Sequence, residues 1–369
     1  MKIAFDCQIF TIQKYGGISR YFAETAGHML EQNENIAIFS PLYQNRYLES
    51  LPRQVVNGRL CDRFPPKSTR AILAYNKWAS RRSISAWRPD VVHETYFSPE
   101  PAIPSGVAPV ALTVYDMIHE LYADEFGPSD NTSRFKRAAV ARADHVICIS
   151  HNTKSDLIDR FGTDPSKVSV VHLGVQPVLA PDPTTLAALN NKKPYFLYVG
   201  TRRGYKNFSG LLDAYAQSDR LRSSFDIIAF GGGAFDSSEL QELTGHGFNP
   251  GQVRQLDGGD NQLAALYQRA AALVYPSKYE GFGLPPIEAM AMQCPVLSSD
   301  SSSMPEVIGD AGFYFDANSR DSIIYAMETL VESPTKIASL KKAGFERHKV
   351  FTWAKCAGDT RAVYKQMVG

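Results

Sequence analysis

The stretch that decides the fold runs from Ala271 to Ala291 and reads AALVYPSKYEGFGLPPIEAMA. Its first five residues are a short apolar run that predicts a buried strand, and a Gly-Phe-Gly turn then leads into a helix. Glu280 precedes this turn and Glu288 lies in the helix. A strand, a glycine turn and a helix aim backbone N–H groups at an anion. We therefore expect a ligand with a phosphate and hydroxyl-rich ends for the two carboxylates, such as a nucleotide sugar; the alternative is a plain strand–helix connection with surface acids.

The composition is that of a folded chain of two domains. The chain has 369 residues, 44% of them hydrophobic and 21% charged, with a net charge of +1. This balance gives no sign of a nucleic-acid partner. The five cysteines are widely spaced without a C-x-x-C, which argues against disulfides or structural zinc and for a reducing compartment. The first residues do not resemble a signal peptide and no apolar run is long enough to cross a bilayer, so we expect a cytoplasmic protein that can still lie on a membrane.

Apolar, β-rich segments alternate with helical stretches along both halves of the chain. The predicted strands are 2–6, 35–40, 90–95, 111–116, 145–150 and 168–173, then 195–200, 225–232, 253–257, 272–277, 295–299 and 312–316. This pattern predicts an α/β fold of two Rossmann-like domains with parallel sheets. Residues 175–194 are rich in proline and polar residues and form the predicted linker. We place the domains at 1–178 and 190–350.

Two groups of polar residues follow strands of the first half. Gly16 and Gly17 lie between the first strand and a helix, where a substrate can approach the backbone. Asp116 stands at the end of the 111–116 strand, and His119 follows three residues later. A carboxylate and an imidazole at that position can bind sugar hydroxyls. The alternatives are a tight turn for the glycines, a helix N-cap for Asp116 and an ordinary loop residue for His119.

The second half carries a basic turn after its first strand. Arg202, Arg203 and Lys206 precede a helix, and three cations there are suited to a diphosphate. Spacing alone does not say which arginine faces the ligand, and a solvated basic turn is the alternative. A second loop, 230–235, contains three consecutive glycines that allow close approach of a ligand.

Two absences from the sequence restrict the chemistry. The chain contains no D-x-D, the arrangement that holds a divalent cation against a diphosphate, and no His/Asp/Glu cluster with metal-ligand spacing. We therefore expect no cofactor and no metal, with arginine and lysine neutralising a leaving diphosphate. A dinucleotide-dependent oxidoreductase is disfavoured because no G-x-G-x-x-G follows the first strand.

Taken together, these residues resemble glycosyltransferase family 4, the retaining GT-B enzymes, over nearly the whole chain. The resemblance is carried by Glu280-x7-Glu288 within EGFGLPPIEAM, by the following PV and PEV segments, by GGISRY, by GTRRGYKN and by the closing FTWAKCAGDTRAVY. It implies that the first domain, 1–178, binds the acceptor and that the second, 190–350, binds the nucleotide sugar. It also implies that the two sheets face an interdomain cleft and that a final helix, about 353–369, packs back on the first domain.

The resemblance also implies roles for single residues. It places Glu280 on the donor sugar, Glu288 on the ribose, and Lys206 with Arg202 or Arg203 on the diphosphate. Gly17 would lie near the diphosphate, and backbone N–H groups of Phe282, Gly283 and Leu284 would face the donor. Many members have His-Asp where this chain has Tyr115-Asp116, so the role of that histidine is either lost or taken by His119. The basic pair is also spaced differently, because Tyr205 precedes Lys206.

The chemistry implied is sugar transfer with retention, without an enzymic nucleophile. The pattern is most similar to bacterial mannosyltransferases of surface-polysaccharide assembly that use GDP-mannose. A UDP-sugar donor, a non-transferring enzyme such as a nucleotide-sugar epimerase, and a non-catalytic polysaccharide- or membrane-binding protein are the alternatives.

A basic segment of the first half bears on the acceptor. Residues 63–88 contain seven Arg or Lys, no acid and interleaved Tyr and Trp, which favours contact with an anionic membrane and a polyprenyl-diphosphate-linked acceptor. A surface helix with its apolar face in the core is the alternative.

Overall fold

The computed structural model describes residues 1–175, 181–189, 193–202 and 204–369. The chain divides into two compact units, one formed by Met1–Gly174 with Trp353–Gly369 and the other by Val175–Thr352. Parts of the predicted linker, 176–180 and 190–192, lie outside the described residues, as does Arg203. Between those gaps the linker contains a short helix, Pro183–Leu189.

The first unit alternates strands and helices. Its strands are β1 (Lys2–Phe5), β2 (Asn35–Tyr43), β3 (Val56–Leu60), β4 (Val91–Glu94), β5 (Val110–Val114), β6 (His145–Cys148) and β7 (Val168–Val170). Its helices are α1 (Gln8–Ile12), α2 (Gly17–Glu31), α3 (Thr69–Trp87), α4 (Ile118–Leu121), α5 (Thr132–Arg142), α6 (His151–Phe161) and α16 (Trp353–Val368).

These strands form one parallel sheet in the order β3-β2-β1-β4-β5-β6-β7. Ile3 pairs with Ile36 on one side and with Val91 on the other. Most residues of the central strands are apolar and buried, as parallel sheets covered by helices require, and the exceptions include His93 and Glu94 of β4, which are buried with hydrogen-bond partners. The strand order reverses between β1 and β4, which is the switch point of this sheet.

The second unit repeats the pattern. Its strands are β8 (Tyr195–Val199), β9 (Asp226–Phe230), β10 (Val253–Leu256), β11 (Ala272–Tyr275), β12 (Val296–Ser299) and β13 (Phe313–Phe315). Its helices are α7 (Pro183–Leu189), α8 (Phe208–Gln217), α9 (Asp219–Ser224), α10 (Ser237–Gly245), α11 (Asp260–Arg269), α12 (Leu284–Ala291), α13 (Met304–Ile308), α14 (Arg320–Glu332) and α15 (Pro334–His348).

The second sheet is also parallel, in the order β10-β9-β8-β11-β12-β13. Its switch point lies between β8 and β11, which pair directly through Phe196 and Ala272. A core of buried residues joins these strands to α8 and α14. The prediction of two Rossmann-like parallel sheets is therefore confirmed.

Helix α16 belongs to the first unit although it follows the second in the chain. It packs on α2 and β4, and Tyr364 is completely buried. The hydroxyl of Tyr364 is 2.5 Å from Nδ1 of His93 in β4, and the other ring nitrogen of His93 is 2.9 Å from Oγ1 of Thr113. Burial lowers the pKa of His93 to about 3, so this histidine is a neutral core residue.

Among the described residues, no helix combines the length and the apolar character that crossing a lipid bilayer requires.

Candidate active site

The segment between β11 and α12 folds as a tight turn that is fixed by serines. The backbone N–H of Glu280 donates to Oγ of Ser302 at 2.9 Å. Ser303 donates from its hydroxyl to the carbonyls of Glu280 and Phe282. The turn is therefore held by hydrogen bonds from two neighbouring serines of the same chain.

Gly283 allows this turn to enter the helix. Its φ is +96°, and a Cβ there would lie 2.6 Å from Cε of Met304. Backbone strain therefore disfavours a side chain here, and a Cβ would also require the flexible end of Met304 to move. The helix begins at Leu284 with a proline in its first turn, where a missing N–H costs nothing.

Lys206 and Glu280 form an ion pair at the switch point of the second sheet. Nζ of Lys206 lies 2.6 Å from Oε1 of Glu280. Lys206 closes the loop after β8 and Glu280 lies in the loop after β11, and these strands are neighbours. The loops are also joined by a 2.7 Å hydrogen bond from the N–H of Lys278 to the carbonyl of Tyr205. The structure thus brings together two residues that were predicted separately.

A buried tyrosine lies behind each of the two carboxylates. Tyr267 donates its hydroxyl to Oε2 of Glu288 at 3.3 Å, and the Tyr275 hydroxyl bonds to Glu280. Burial, with the nearby carboxylate, raises the pKa of both phenols well above its usual value. Both tyrosines are therefore protonated donors that fix the carboxylate positions. The sequence analysis missed them because tyrosines in an apolar run are indistinguishable from core residues.

Arg202 points to the glycine loop of the same unit. Its guanidinium donates to the carbonyls of Gly231 and Gly233 at 2.7 and 2.9 Å and to Oε1 of Glu239 at 2.9 Å. Gly231 to Gly233 all have positive φ, and a Cβ on Gly232 would be 2.7 Å from the guanidinium. In this structure Arg202 therefore holds the glycine loop, and its predicted contact with a diphosphate stays a prediction. The Asp236-x-x-Glu239 spacing is that of the capping box that begins α10, but nothing in it indicates the contact with Arg202.

In the first unit, Asp116 follows β5. Its Oδ1 accepts the N–H of Ile118 at 3.1 Å, two residues on, whereas the N-cap of α4 is Met117 and not Asp116. Lys136 is completely buried and donates to the Asp116 carbonyl at 2.8 Å and to Oε2 of Glu120 at 2.7 Å. The carboxylate of Asp116 remains 29% exposed. It can therefore still accept a hydrogen bond from a ligand.

His119 is placed by an aromatic contact. Its ring stacks on Phe126 with centroids 4.0 Å apart, and its Nε2 lies 3.8 Å from Oδ2 of Asp130. The side chain is 22% exposed. Whether it supplies the function of the usual histidine stays a prediction.

The predicted glycine loop of the first unit leads directly into α2, which begins at Gly17. Gly17 is exposed, and the side chain of Gln13 accepts the N–H of Ser19 at 3.2 Å. Part of the helix N-terminus is therefore capped from within the chain, and a ligand would approach through the exposed Gly17.

The chain matches two family models. "Glycosyltransferase Family 4" covers residues 15–179 and "Glycosyl transferases group 1" covers residues 187–347. It is 29% identical to the O-antigen chain mannosyltransferase B of Escherichia coli, over 95% of this chain and 96% of that protein. It is also 29% identical to the O-antigen chain mannosyltransferase RfbU of Salmonella typhimurium, over 62% of each chain.

Solved structures share the fold at low sequence identity. The sucrose-phosphate synthase of Thermosynechococcus elongatus superposes with a TM-score of 0.75 at 18% identity, covering 99% of this chain and 98% of its own. WaaG, a glycosyltransferase involved in lipopolysaccharide biosynthesis, gives a TM-score of 0.72 at 16% identity, covering 100% of both chains. The two family models together match residues 15–179 and 187–347, and two parallel sheets agree with them. The chain therefore belongs to glycosyltransferase family 4 with the GT-B fold, and it is a glycosyltransferase.

Proposed function

We propose that this enzyme transfers mannose from GDP-mannose, with retention and without a metal, to a saccharide or lipid-linked oligosaccharide acceptor in surface-polysaccharide synthesis. The observation that carries the proposal is the Lys206–Glu280 pair beside the 281–283 turn. A cation for the leaving diphosphate and a carboxylate for sugar hydroxyls stand side by side at a switch point, where parallel sheets bind ligands.

Transfer of the sugar develops negative charge on the departing diphosphate. Lys206 is the described cation that faces this position, and the start of α12 adds its dipole. Glu280 binds hydroxyls of the donor sugar and Glu288 binds the ribose. Because buried tyrosines fix both carboxylates, the site needs little rearrangement when the donor arrives.

The acceptor hydroxyl attacks the anomeric carbon from the face that the diphosphate leaves. The new bond forms between that oxygen and the carbon as the bond to the phosphate oxygen breaks. The phosphate oxygen takes the proton of the acceptor hydroxyl, so no enzymic nucleophile is used. Asp116 and His119 bind hydroxyls of the reacting sugar in this proposal.

The choice of donor rests on the named relatives, since two of them are mannosyltransferases of the O-antigen chain. The lack of a D-x-D in the sequence supports chemistry that needs no divalent cation. A non-transferring enzyme such as an epimerase would turn over without an added acceptor, and we expect turnover to require one.

A thermal-shift panel tests the donor. The protein is heated with GDP, UDP, GDP-mannose and UDP-sugars in EDTA, and a ligand at 100 times its Kd should add about 2.7 kcal/mol of stability. We expect a shift with GDP and GDP-mannose that Lys206→Ala reduces. A shift with UDP compounds alone would overturn the donor, and no shift with any nucleotide would overturn the transferase mechanism. Activity that EDTA removes and magnesium restores would contradict the metal-free proposal.

We further propose that α3 contacts an anionic membrane surface. Trp78 and Tyr75 are 57% and 50% exposed, and the Arg82 guanidinium lies 4.9 Å from the Trp78 ring. Ile84 faces the core instead, so the core alternative holds for the end of the helix. The exposed aromatic and basic residues together suit the interface of an anionic bilayer.

Vesicle sedimentation tests this contact. The double variant Arg70→Gln/Arg82→Gln should bind phosphatidylglycerol vesicles about 30-fold more weakly than the wild type, since each basic residue contributes about 1 kcal/mol. Arg220→Gln, a change of an exposed arginine of the second unit, serves as the control. Equal binding of the double variant and the control would contradict the contact.

A further inference from the structure

The loop that carries Lys206 ends on a residue with left-handed backbone geometry. Asn207 follows Lys206 and precedes α8 (Phe208–Gln217), and its φ and ψ are +57° and +37°. A residue with a Cβ is strained in this region, and asparagine tolerates it better than most. The residue directly after the proposed diphosphate cation therefore has a conformation that an ordinary side chain would oppose.

The side chain of Asn207 does not cap the helix that it precedes. An asparagine at the N-cap position usually accepts an N–H of the first helical turn, but Asn207 makes no such bond in α8. Its amide nitrogen Nδ2 instead donates to the carbonyl of Ala317 at 2.8 Å. Ala317 is 4% exposed and lies between β13 and α14. The amide therefore ties the loop after β8 to the loop after β13, a strand three positions away in the sheet.

A glycine in α8 leaves room for this amide. Gly210 lies in the first turn of the helix and has no positive φ, so its backbone does not require glycine. A Cβ at this position would lie 2.6 Å from Oδ1 and 2.8 Å from Nδ2 of Asn207. Alanine, although a better helix former, would therefore push the amide away from the carbonyl of Ala317. The contact with Ala317 thus accounts for the residues at both positions, 207 and 210.

The backbone of Lys206 is held through both of its neighbours. On one side the carbonyl of Tyr205 accepts the N–H of Lys278 at 2.7 Å, and on the other side Asn207 is anchored by its amide. Between these two points the Lys206 side chain, 17% exposed, places Nζ 2.6 Å from Oε1 of Glu280. A lysine has a long flexible stem, so a fixed backbone reduces the entropy that is lost when its ammonium is held in one place.

We propose that Asn207 is a positioning residue for Lys206. Its left-handed backbone and its amide bond to Ala317 keep the Lys206 ammonium beside Glu280, at the place where the diphosphate departs, and Asn207 itself touches no substrate. The inference deepens the proposed function and rests on it, because the contact of Lys206 with a diphosphate belongs to that function. The position of the ammonium in the free protein can be measured separately from that contact.

A mutant cycle in the ligand-free protein measures the positioning. Asn207→Gly keeps the left-handed backbone and removes the amide. It should raise the unfolding equilibrium constant about tenfold in the wild type and about threefold in Lys206→Met/Glu280→Gln, since only the wild type contains the ion pair. Asn33→Gly is the matched control, because Asn33 has a φ of +60° in the first unit, and its effect should be the same in both backgrounds. Equal effects of Asn207→Gly in the two backgrounds would overturn the proposal.

Binding of GDP, measured by titration calorimetry in EDTA, is the second readout. Asn207→Gly should raise the Kd about fivefold, the effect of one neutral hydrogen bond, and Asn33→Gly should leave it unchanged. In the Lys206→Met background, Asn207→Gly should change the Kd by less than about twofold, because the amide acts through the lysine. Gly210→Ala should weaken binding as Asn207→Gly does. The double variant Asn207→Gly/Gly210→Ala should bind no more weakly than Asn207→Gly, since the amide that alanine displaces is already absent.

The outcomes separate the positioning of Lys206 from the transfer reaction. Coupling between residues 206 and 207 in a protein that binds no nucleotide would support the positioning and contradict the transfer reaction. GDP binding that Asn207→Gly leaves unchanged, or weakens equally in Lys206→Met, would overturn the positioning and leave the donor site. Asn207 would then only link two loops of the second unit.

Discussion

The two sheets place different chemistry at equivalent positions. At the switch point of the second sheet, Lys206 and Glu280 neutralise each other at 2.6 Å and are largely buried. At the switch point of the first sheet, Arg81 and Glu100 border an open cavity without pairing. Charges that are paired in advance suit a ligand that brings its own charge and replaces one partner. Unpaired, exposed charges of both signs stay solvated until a ligand with hydrogen-bonding groups of its own replaces the water.

The largest effect should follow from breaking the buried pair. Lys206→Met and Glu280→Gln should each lower kcat about 1,000-fold, since each removes a group that faces developing charge or the donor. Each single variant should also lose about 2 kcal/mol of stability, because its former partner remains buried and unpaired.

The double variant Lys206→Met/Glu280→Gln separates these two effects. It should recover the melting temperature while staying inactive, as measured by calorimetry and a sugar-transfer assay. Wild-type turnover in either single variant would contradict the site assignment.

Arg202→Ala should have the next largest effect, through the glycine loop. The side chain is 2% exposed and holds Gly231, Gly233 and Glu239, so its loss should cost about 3 kcal/mol of unfolding free energy. The KM for the donor should rise about tenfold with less change in kcat.

Arg202→Lys should not restore the affinity, because one ammonium cannot bridge the three acceptors. Arg220→Ala, which removes an exposed ion pair, is the control and should cost less than about 1 kcal/mol. An Arg202→Ala enzyme that loses kcat alone would instead favour direct contact with the diphosphate.

Acid should weaken the first unit through His93. Burial lowers the pKa of His93 to about 3, so the unfolded chain, with an ordinary histidine pKa of about 6.5, binds the proton first. The stabilising contribution is present above pH 6.5 and falls as the pH drops towards 3, by about 2 kcal/mol between pH 7 and pH 5. Denaturant unfolding of wild type and His93→Gln at both pH values measures it. If wild type and His93→Gln lost the same unfolding free energy between pH 7 and pH 5, this role of His93 would be contradicted.

The smallest effect on stability is expected at the cavity of the first unit that Arg81 and Glu100 border. Since Arg81 and Glu100 have no described partner to lose, Arg81→Gln and Glu100→Gln should each change stability by less than about 0.5 kcal/mol. Thermal denaturation without ligand measures this. Losses as large as those of Lys206→Met would remove the contrast between the two switch points.

Hydrophobic pattern predicted most of the fold. All twelve predicted segments contain strands, because strands buried on both faces are mostly apolar. Strand β3 was missed, since Val56–Leu60 is an edge strand with three exposed residues and no apolar run. The helix Pro183–Leu189 was also missed, because proline and polar residues around it are typical of a linker.

For the candidate site, the sequence predicted which residues follow the ends of strands, but it did not predict the directions of their side chains. Lys206 and Glu280 follow strands that turn out to be neighbours, so topology brings them together. The direction of the Arg202 side chain depends on Glu239, a residue 37 positions later that only the folded structure places beside it. The cavity beside α3 was equally hidden, because its lining comes from three separate segments.

The return of α16 to the first unit has a consequence for synthesis on the ribosome. Residues 1–174 emerge first, yet their unit lacks the helix that covers α2 until residues 353–368 follow. At about 5–20 residues per second, translation of the intervening second unit takes roughly 10 to 40 seconds. During that interval the apolar side of α2 and the His93 ring have no contact with helix α16. The first unit can therefore complete its packing only after the second unit has been synthesised.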